Sequence, residues 1–500
     1  MILRLWLLTA VAAFVSCCGR AAAQTQTATD PPAAVAIPFA APATQAPNTI
    51  ALPSENQPQD DKPSTDPSAK TSDSSPSRVE LSSEWLNGLQ FKSADDNFRL
   101  RVGGSVQVDS TWLTGTENAF ILPNGSTSGV GNAAATFLRR VRLRAGGQIY
   151  DQFDFLLEYD FANANNENSG QEPPSFGNIA GSPSPCSIWM QVRDVPVVGD
   201  VRLGHLIKPI GMTLNTSHAS LPFMERPDNT DAFYAPFDGG YALGVVARNR
   251  TEDERVTWQY GVYRPTVTLF GVAVNKGEWG GRVTALPIFE DDGCRLVHVG
   301  LGTLNGELPQ NQLRLRDRPM LRNGPGYAVP ILVDTGEING SRQYTFAPEL
   351  AAVLGPWTFQ AEWTWQLLTN AMTIHGADQG TGMFQGGYAE ALYFLTGEHQ
   401  EYDKRDGVFG RVVPRRNLRF SRTEGCAGPG AWQVGLRVSY LDLNSNDIQG
   451  GTLYDWTAGL NWYWNPNMKV QFNYIIERRN QPGVEASWIS GFGIRGAYNF

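Results

Sequence analysis

Beyond its first two dozen residues this sequence has no long apolar run, and its mean hydropathy is slightly polar at −0.28. Spanning helices need about twenty consecutive apolar residues, so a helical membrane protein is excluded. Cysteine is scarce as well. Cys17 and Cys18 fall in the leading segment, and Cys186, Cys294 and Cys426 are irregularly spaced and odd in number, which yields neither a disulfide framework nor a metal knuckle. The 5 histidines are scattered, and no HExxH, GxSxG or paired-cysteine motif accompanies them, so the chain reads as no enzyme and calls for no cofactor. Positive charge is in deficit, with 40 Lys and Arg against 49 Asp and Glu and a net charge of −9. A nucleic-acid partner is therefore not expected, and any attraction for anions has to come from local groups of arginine.

What is present begins with an export signal. Arg4 precedes an apolar stretch from Leu5 to Val15 and the small residues Ala21, Ala22 and Ala23, so residues 1–23 read as a cleaved signal peptide. Phe14 and Val15 occupy the positions where a lipid-attachment motif ahead of Cys17 or Cys18 would carry leucine, which argues against a lipoprotein. Residues 24–79 are rich in Ala, Pro, Ser, Thr, Asp and Gln and almost free of aromatics, the composition of a disordered periplasmic linker. Residues 80–500 are a different material. Aromatic content is high for so polar a chain, as expected where alternate residues face lipid and water and cancel in a hydropathy window.

From Phe98 the period is two. Phe98, Leu100, Val102, Val106, Val108 and Trp112 alternate with Arg99, Arg101, Ser105, Gln107, Asp109 and Thr111. The pattern recurs at Phe153–Phe161, Trp357–Trp365 and Trp432–Tyr440. About sixteen such segments begin near residues 98, 137, 153, 187, 201, 241, 255, 278, 294, 342, 357, 385, 431, 453, 467 and 487, which predicts an all-β, transmembrane antiparallel barrel with an even strand count. Long connections should face outward and short ones the periplasm, and they mostly alternate. One exception stands out: residues 398–430 are long where a short periplasmic turn is due, so either the count misses a hairpin or the barrel has an extended periplasmic excursion. The chain ends on an aromatic residue, Phe500, with Phe492, Ile494 and Tyr498 on its face, a terminal strand like those read by the outer-membrane assembly machinery. Gly491, Gly493 and Gly496 spell a GxGxxG, but no helix can follow it.

Two arginine groups carry the candidate chemistry. In Phe137–Arg144, the residues Arg140, Arg142 and Arg144 share one strand face about 7 Å apart, given a rise of roughly 3.3 Å per residue. They either pass an anion from one to the next or pair with Asp154, Glu158 and Asp160 on the neighbouring strand. The second group is Arg314, Arg316, Arg318 and Arg322 in a long connection, where alternation with leucine predicts an extended segment with one face in water and the other packed. Guanidinium forks suit phosphate because they bond two oxygens and stay charged.

Several patches then resemble the phosphate-selective porins O and P over nearly the whole mature chain: Arg139-Arg140 followed by Gly146-Gly147 and Glu158-Tyr159-Asp160, Val201–His205, Phe223–Arg226, Val297–Leu301, Tyr393–Glu398 and Leu460–Tyr463. The resemblance implies a sixteen-stranded trimeric barrel in the outer membrane that passes anionic, phosphate-like solutes. It also implies an inward third loop, matched here by about 209–240, that narrows the pore, and an arginine ladder in the fifth loop matched by Arg314, Arg316, Arg318 and Arg322. Arg139 and Arg140 match a pair near the constriction. The inward loop carries few charges of its own, so its expected contribution is narrowing. The sequence departs from the family at His218, where a lysine is usual, at Ser187 in place of an aspartate, and at Ser105 in place of an arginine. These departures weaken the case for strict phosphate selectivity, and a general or sugar-permeable channel is the alternative if the arginines are neutralised.

Overall fold

A computed structural model describes residues 81–500 apart from 86–87, 117–119, 122–126, 129–132, 163–182, 235–239, 265–276, 309–310, 323–330, 373–379 and 422–424. The expected signal peptide and linker lie outside the described residues. The compact unit Glu80–Phe500 is built around one large antiparallel sheet. Sixteen of its strands form a ring: β1 (Phe98–Gly115), β2 (Ala133–Ile149), β3 (Phe153–Asp160), β4 (Ser184–Val195), β5 (Gly199–Ile207), β6 (Tyr241–Arg250), β7 (Val256–Arg264), β8 (Glu278–Glu290), β9 (Arg295–Glu307), β10 (Arg342–Leu354), β11 (Trp357–Thr369), β12 (Gly382–Phe394), β13 (Ala431–Ser445), β14 (Ile448–Asn465), β15 (Met468–Gln481) and β16 (Val484–Asn499).

The ring closes where β16 pairs with β1, from Ile489 opposite Gly115 to Asn499 opposite Ser105. Phe500 completes the seam by exchanging backbone hydrogen bonds with Gly104 at 2.8 and 2.9 Å. The rest of that edge of β1, Arg99 to Val102, pairs with the second strand of a small hairpin, Leu81–Trp85 and Leu89–Ser93. Closure removes the sheet edges, which a hydrocarbon environment would leave unsatisfied. No helix among the described residues is long and apolar enough to cross a membrane.

The two-residue period sets the faces. Along β1, Gln107, Asp109 and Thr111 are buried inside while Val108 is exposed outside, and the outer wall presents Leu203, Leu350, Leu436, Trp456 and Phe492 in the same way. Tight turns join β2 to β3, β4 to β5, β10 to β11 and β14 to β15, and long connections follow β1, β3, β5 and β9 at the other end. In bacterial barrels the short turns are periplasmic and the long loops external. The long connection between β12 and β13 is an excursion at the short-turn end that adds no strand to the ring, although it forms two small hairpins of its own, Tyr402–Asp403 with Val408–Phe409 and Arg419–Ser421 with Gly425–Ala427.

That excursion and two external loops enter the barrel. Loop 3 (residues 208–240) and loop 5 (residues 308–341) pack Ile210, Leu214, Phe233, Leu313, Leu315 and Ile338 against inward residues such as Leu304, Phe384 and Leu453. From the opposite end the excursion inserts Val408 and Phe409 among Leu286, Leu296, Ala351, Val353 and Met212 of loop 3. The protein's hydrophobic core is thus inside the barrel, between loops and wall.

Candidate functional site

Register places the first arginine group. A bulge in β2 shifts the pairing between Gln107 opposite Arg140 and Val108 opposite Leu138, so Arg139 is the extra residue. Strict alternation would send Arg139 outward, yet it is buried beside Arg140 on the inner face, because a bulge breaks the period locally. The expected face of Arg140, Arg142 and Arg144 thus gains a fourth member.

Loop 3 meets these arginines with a carboxylate. Its entry is fixed by the short helix Met212–Asn215, whose first amides donate to Glu362 of β11 at 3.0 and 2.7 Å, a carboxylate at the positive end of a helix. Further along, Glu225 accepts from Arg139 Nε and Nη2 at 2.8 and 2.9 Å and from Arg495 Nη2 at 2.8 Å, with Arg140 at 3.7 Å. Arg495 also grips Asp109 with two bonds of 2.7 Å. Other cations hold the loop by its carbonyls: Arg437 donates to Glu225 O at 3.1 Å, Lys469 to Leu221 O at 2.8 Å, and Arg226 to Thr213 O and Thr216 O at 3.0 and 2.9 Å. Bonding a carbonyl satisfies a donor without cancelling its charge. Around the loop tip the cations Arg139, Arg140, Arg226, Arg437, Lys469 and Arg495 gather about the carboxylates Glu225 and Asp109, while Arg437 also faces the buried Glu390 directly across the strand pair. Burial opposes ionisation of Glu225, but Arg139, Arg140 and Arg495 overcome it and hold its carboxyl well below the usual range. The loop expected to narrow the pore also carries, in Glu225, a carboxylate on which Arg139, Arg140 and Arg495 converge.

Arg142 follows the pairing alternative, at 3.1 Å from Asp160 and 3.9 Å from Glu158. It also touches His218 of loop 3, whose Nδ1 is 3.3 Å from Arg142 Nη1 and whose Nε2 is 3.0 Å from Ser105 Oγ. A guanidinium can only donate, so Nδ1 is the acceptor and the imidazole proton sits on Nε2, directed at Ser105. Burial, then Arg142, Arg140 and Arg226, holds this imidazole well below the usual histidine range. Arg144 lies nearer the turn end and has no ion pair among the described residues. Burial, and after it the charges of Arg144 and Arg101, lowers the affinity of Arg411, in the excursion, for its proton. These three guanidiniums accordingly share one region.

The loop 5 group is more enclosed than its alternation predicts. Leu313 and Leu315 pack inward, but Arg316, Arg318 and Arg322 are buried too, because the segment forms one arm of a hairpin, with Arg316 opposite Asp334, folded into the lumen. Arg314 is bound by Asp334 through Nε at 2.9 and 3.1 Å, and Arg322 pairs with Asp231 of loop 3. Behind them lie carboxylates that no motif pointed to: Asp228 of loop 3 and Asp317 of loop 5, with Asp455 of β14 and Glu477 of β15. Burial pushes Asp228 up to about 6 against the pull of Arg437, and it pushes Asp317 well above the carboxylate range, with the charge of Asp228 adding to it. Among the described residues no group of three or more His, Cys, Asp or Glu is arranged to hold a metal ion.

The signal that sequence reading missed was glycine. A Cβ on Gly493 would come within 2.7 Å of Leu321 and 2.9 Å of Met224, so one glycine of the terminal GxGxxG is where the tips of loops 5 and 3 press on the wall.

The family described as "Phosphate-selective porin O and P" matches residues 122–500. An uncharacterized protein of Caulobacter vibrioides is 28% identical over 452 residues, covering 86% of this chain and 79% of that one. Porin O of Pseudomonas aeruginosa is 23% identical over 415 residues, covering 78% of this chain and 85% of that one. Among solved structures, an anion-selective porin from Comamonas acidovorans aligns with a TM-score of 0.45 at 12% identity, over 80% of this chain and 100% of that chain. The outer-membrane channel DcaP of Acinetobacter baumannii aligns with a TM-score of 0.45 at 10% identity, over 82% and 99%.

Proposed function

The chain belongs to the phosphate-selective porin O and P family, and from that premise we propose that this outer-membrane channel prefers anions and takes phosphate-like solutes. The observation that carries the reading is the group of cations around the tip of loop 3, where Arg226 and Arg437 donate to loop carbonyls, which satisfies them without cancelling their charge. In a narrow lumen with low-dielectric walls the nearest fixed charges set the potential, so these outweigh carboxylates dispersed over an acidic chain. Arg144 and Arg411 extend the positive region toward the periplasmic end. His218, neutral between Arg142 and Ser105, offers no extra cation, which suits passage of anions better than tight capture of phosphate.

A homotrimer, export by residues 1–23, a spacer role for residues 24–79 and assembly through the strand ending at Phe500 belong to the same reading. The general-porin alternative draws on the ion pairs Arg142–Asp160, Arg314–Asp334 and Arg322–Asp231, which neutralise part of the arginine complement. Reversal potentials in a potassium chloride gradient separate the two. A potential on the anion side, lowered by adding phosphate to one chamber, supports the proposal, and a potential near zero or on the cation side replaces it with the general channel.

A further inference from the structure

The outer wall carries a feature that passage through the lumen does not use. Across β10 to β14, two cross-strand rows leave a trough. Leu350, Ala361, Ala389, Val438 and Trp456 stand opposite one another in turn, and in the next row so do Trp363, Gly387, Tyr440 and Tyr454. Ala361, Gly387 and Ala389 form the floor of a groove of about 570 Å³, with Leu350 and Trp363 on one side and Val438, Tyr440, Tyr454 and Trp456 on the other. A Cβ at position 387 would lie 2.5 Å from the Trp363 ring, so the shallow floor depends on glycine there.

The second row continues past the groove. Tyr454 faces Arg478 on β15, and Arg478 faces Trp488 on β16, with the guanidinium 5.6 Å from the Trp488 ring centroid. One step toward the loop end the outward residues of β12 to β15 turn polar, with Gln385, Asp442, Thr452 and Asn480 in register, while β11 and β10 keep the aromatics Trp365 and Phe346 in that row. One step the other way they are apolar, with Ala389, Val438, Trp456 and Ile476 in register. Over β12 to β15, apolar below, aromatic at the boundary and polar above is the depth profile of a bilayer, whereas a contact with a second copy of the chain would impose no such order. Arg478 sits at that boundary, on the external side, and among the described residues no carboxylate pairs with it. A cation facing hydrocarbon is costly at the membrane centre but can be met at the interface by an anionic headgroup.

We propose that this face holds one phosphorylated lipid of the outer leaflet, with Arg478 pairing with its phosphate and an acyl chain lying in the groove over Ala361, Gly387 and Ala389. The pairing is charge-assisted and fits the guanidinium fork, and the groove lies within the range of about 300–1,000 Å³ typical of ligand clefts. The inference rests on the barrel spanning the membrane, not on its solute preference.

The test is native mass spectrometry of the detergent-purified full chain, titrated with dimyristoyl phosphatidic acid, with dimyristoylglycerol (the same chains without phosphate) and with inorganic phosphate. The wild type should retain phosphatidic acid at a concentration at least about tenfold lower than the diacylglycerol, as expected for one charge-assisted contact. Arg478→Gln should erase that difference, and Ala389→Phe, which fills the groove from outside, should weaken both lipids, with Ala361→Leu as a second filling variant if the first fails to fold. Phosphatidic acid retention unchanged in Arg478→Gln and in the filling variant that folds overturns the proposal. So does displacement by an equal concentration of inorganic phosphate, which would make this a headgroup site without a chain. A change in subunit number with lipid retention intact would give the groove to a second copy of the chain.

Discussion

Glu225 is a single side chain on which several wall cations converge, and its removal is more consequential than its charge suggests. Replacing it by glutamine leaves Arg139, Arg140 and Arg495 inside the barrel with one partner fewer, and breaking a buried pair from one side costs about 3–5 kcal/mol. Glu225→Gln should therefore lower the urea midpoint of the refolded protein, read by tryptophan fluorescence. In channels that still assemble it should move the reversal potential further toward anions, because a negative charge has left the tip. Since the folded carboxyl titrates below its unfolded value of about 4.3, the stabilisation is fully present above that pH and is lost only as the pH falls through the lower folded value. At the neighbouring His218 the sign is different. Its imidazole stays neutral because Arg142 occupies Nδ1 and the surrounding guanidiniums oppose a proton, so selectivity should be flat between about pH 7.5 and 5.5, where an unperturbed histidine would gain charge. His218→Lys should add a fixed cation opposite Ser105 and raise the anion preference. A wild-type reversal potential that climbs toward anions on acidification would show that the imidazole titrates after all.

The periplasmic excursion is the element least expected of a barrel whose other turns at that end are tight. Arg282 of β8 donates to the carbonyls of Asp406 and Gly407 at 2.9 and 2.7 Å, Arg248 of β6 pairs with the Asp406 carboxylate, and Tyr402 meets His298 of β9 at 2.6 Å. Phe409 supplies the apolar anchor next to Met212 of loop 3. Combining Phe409→Ala with Asp406→Ala should release the excursion from the wall and raise single-channel conductance, and an unchanged conductance in an assembled barrel would place this segment away from the solute path. The strands themselves were legible because each outward face repeats every second residue, and all sixteen starts fall within five residues of those expected. What could not be read was the lumen. Period two says which residues point inward but not which loop meets them: the bulge that turns Arg139 inward leaves no mark in Phe137–Arg144, and the contact of loop 3 with β1, β2, β13, β15 and β16 joins residues from 76 to 271 positions apart.

At the scale of the whole molecule, the question is whether fixed charges inside a narrow tube override the sign of the chain. The net charge is −9, yet most of the loop 5 arginines are buried within the lumen. Arg314 pairs with Asp334 and Arg322 with Asp231, so the ladder is at least partly neutralised as folded. Replacing Arg314, Arg316, Arg318 and Arg322 together by glutamine removes four cations and also leaves Asp334 and Asp231 without their arginines, and both changes push the local potential the same way. The reversal potential should shift toward cations at about 0.1 M salt, where the Debye length is about 10 Å, and much less at about 1 M, where it falls to about 3 Å. Surface charges outside the lumen would be screened at both concentrations once they lie beyond those lengths from the solute, so a shift that fades with salt identifies charges lining the path. An unchanged potential at low salt would mean that the ion pairs already cancel the ladder, leaving any anion preference to the cations around Glu225 and to Arg144 and Arg411.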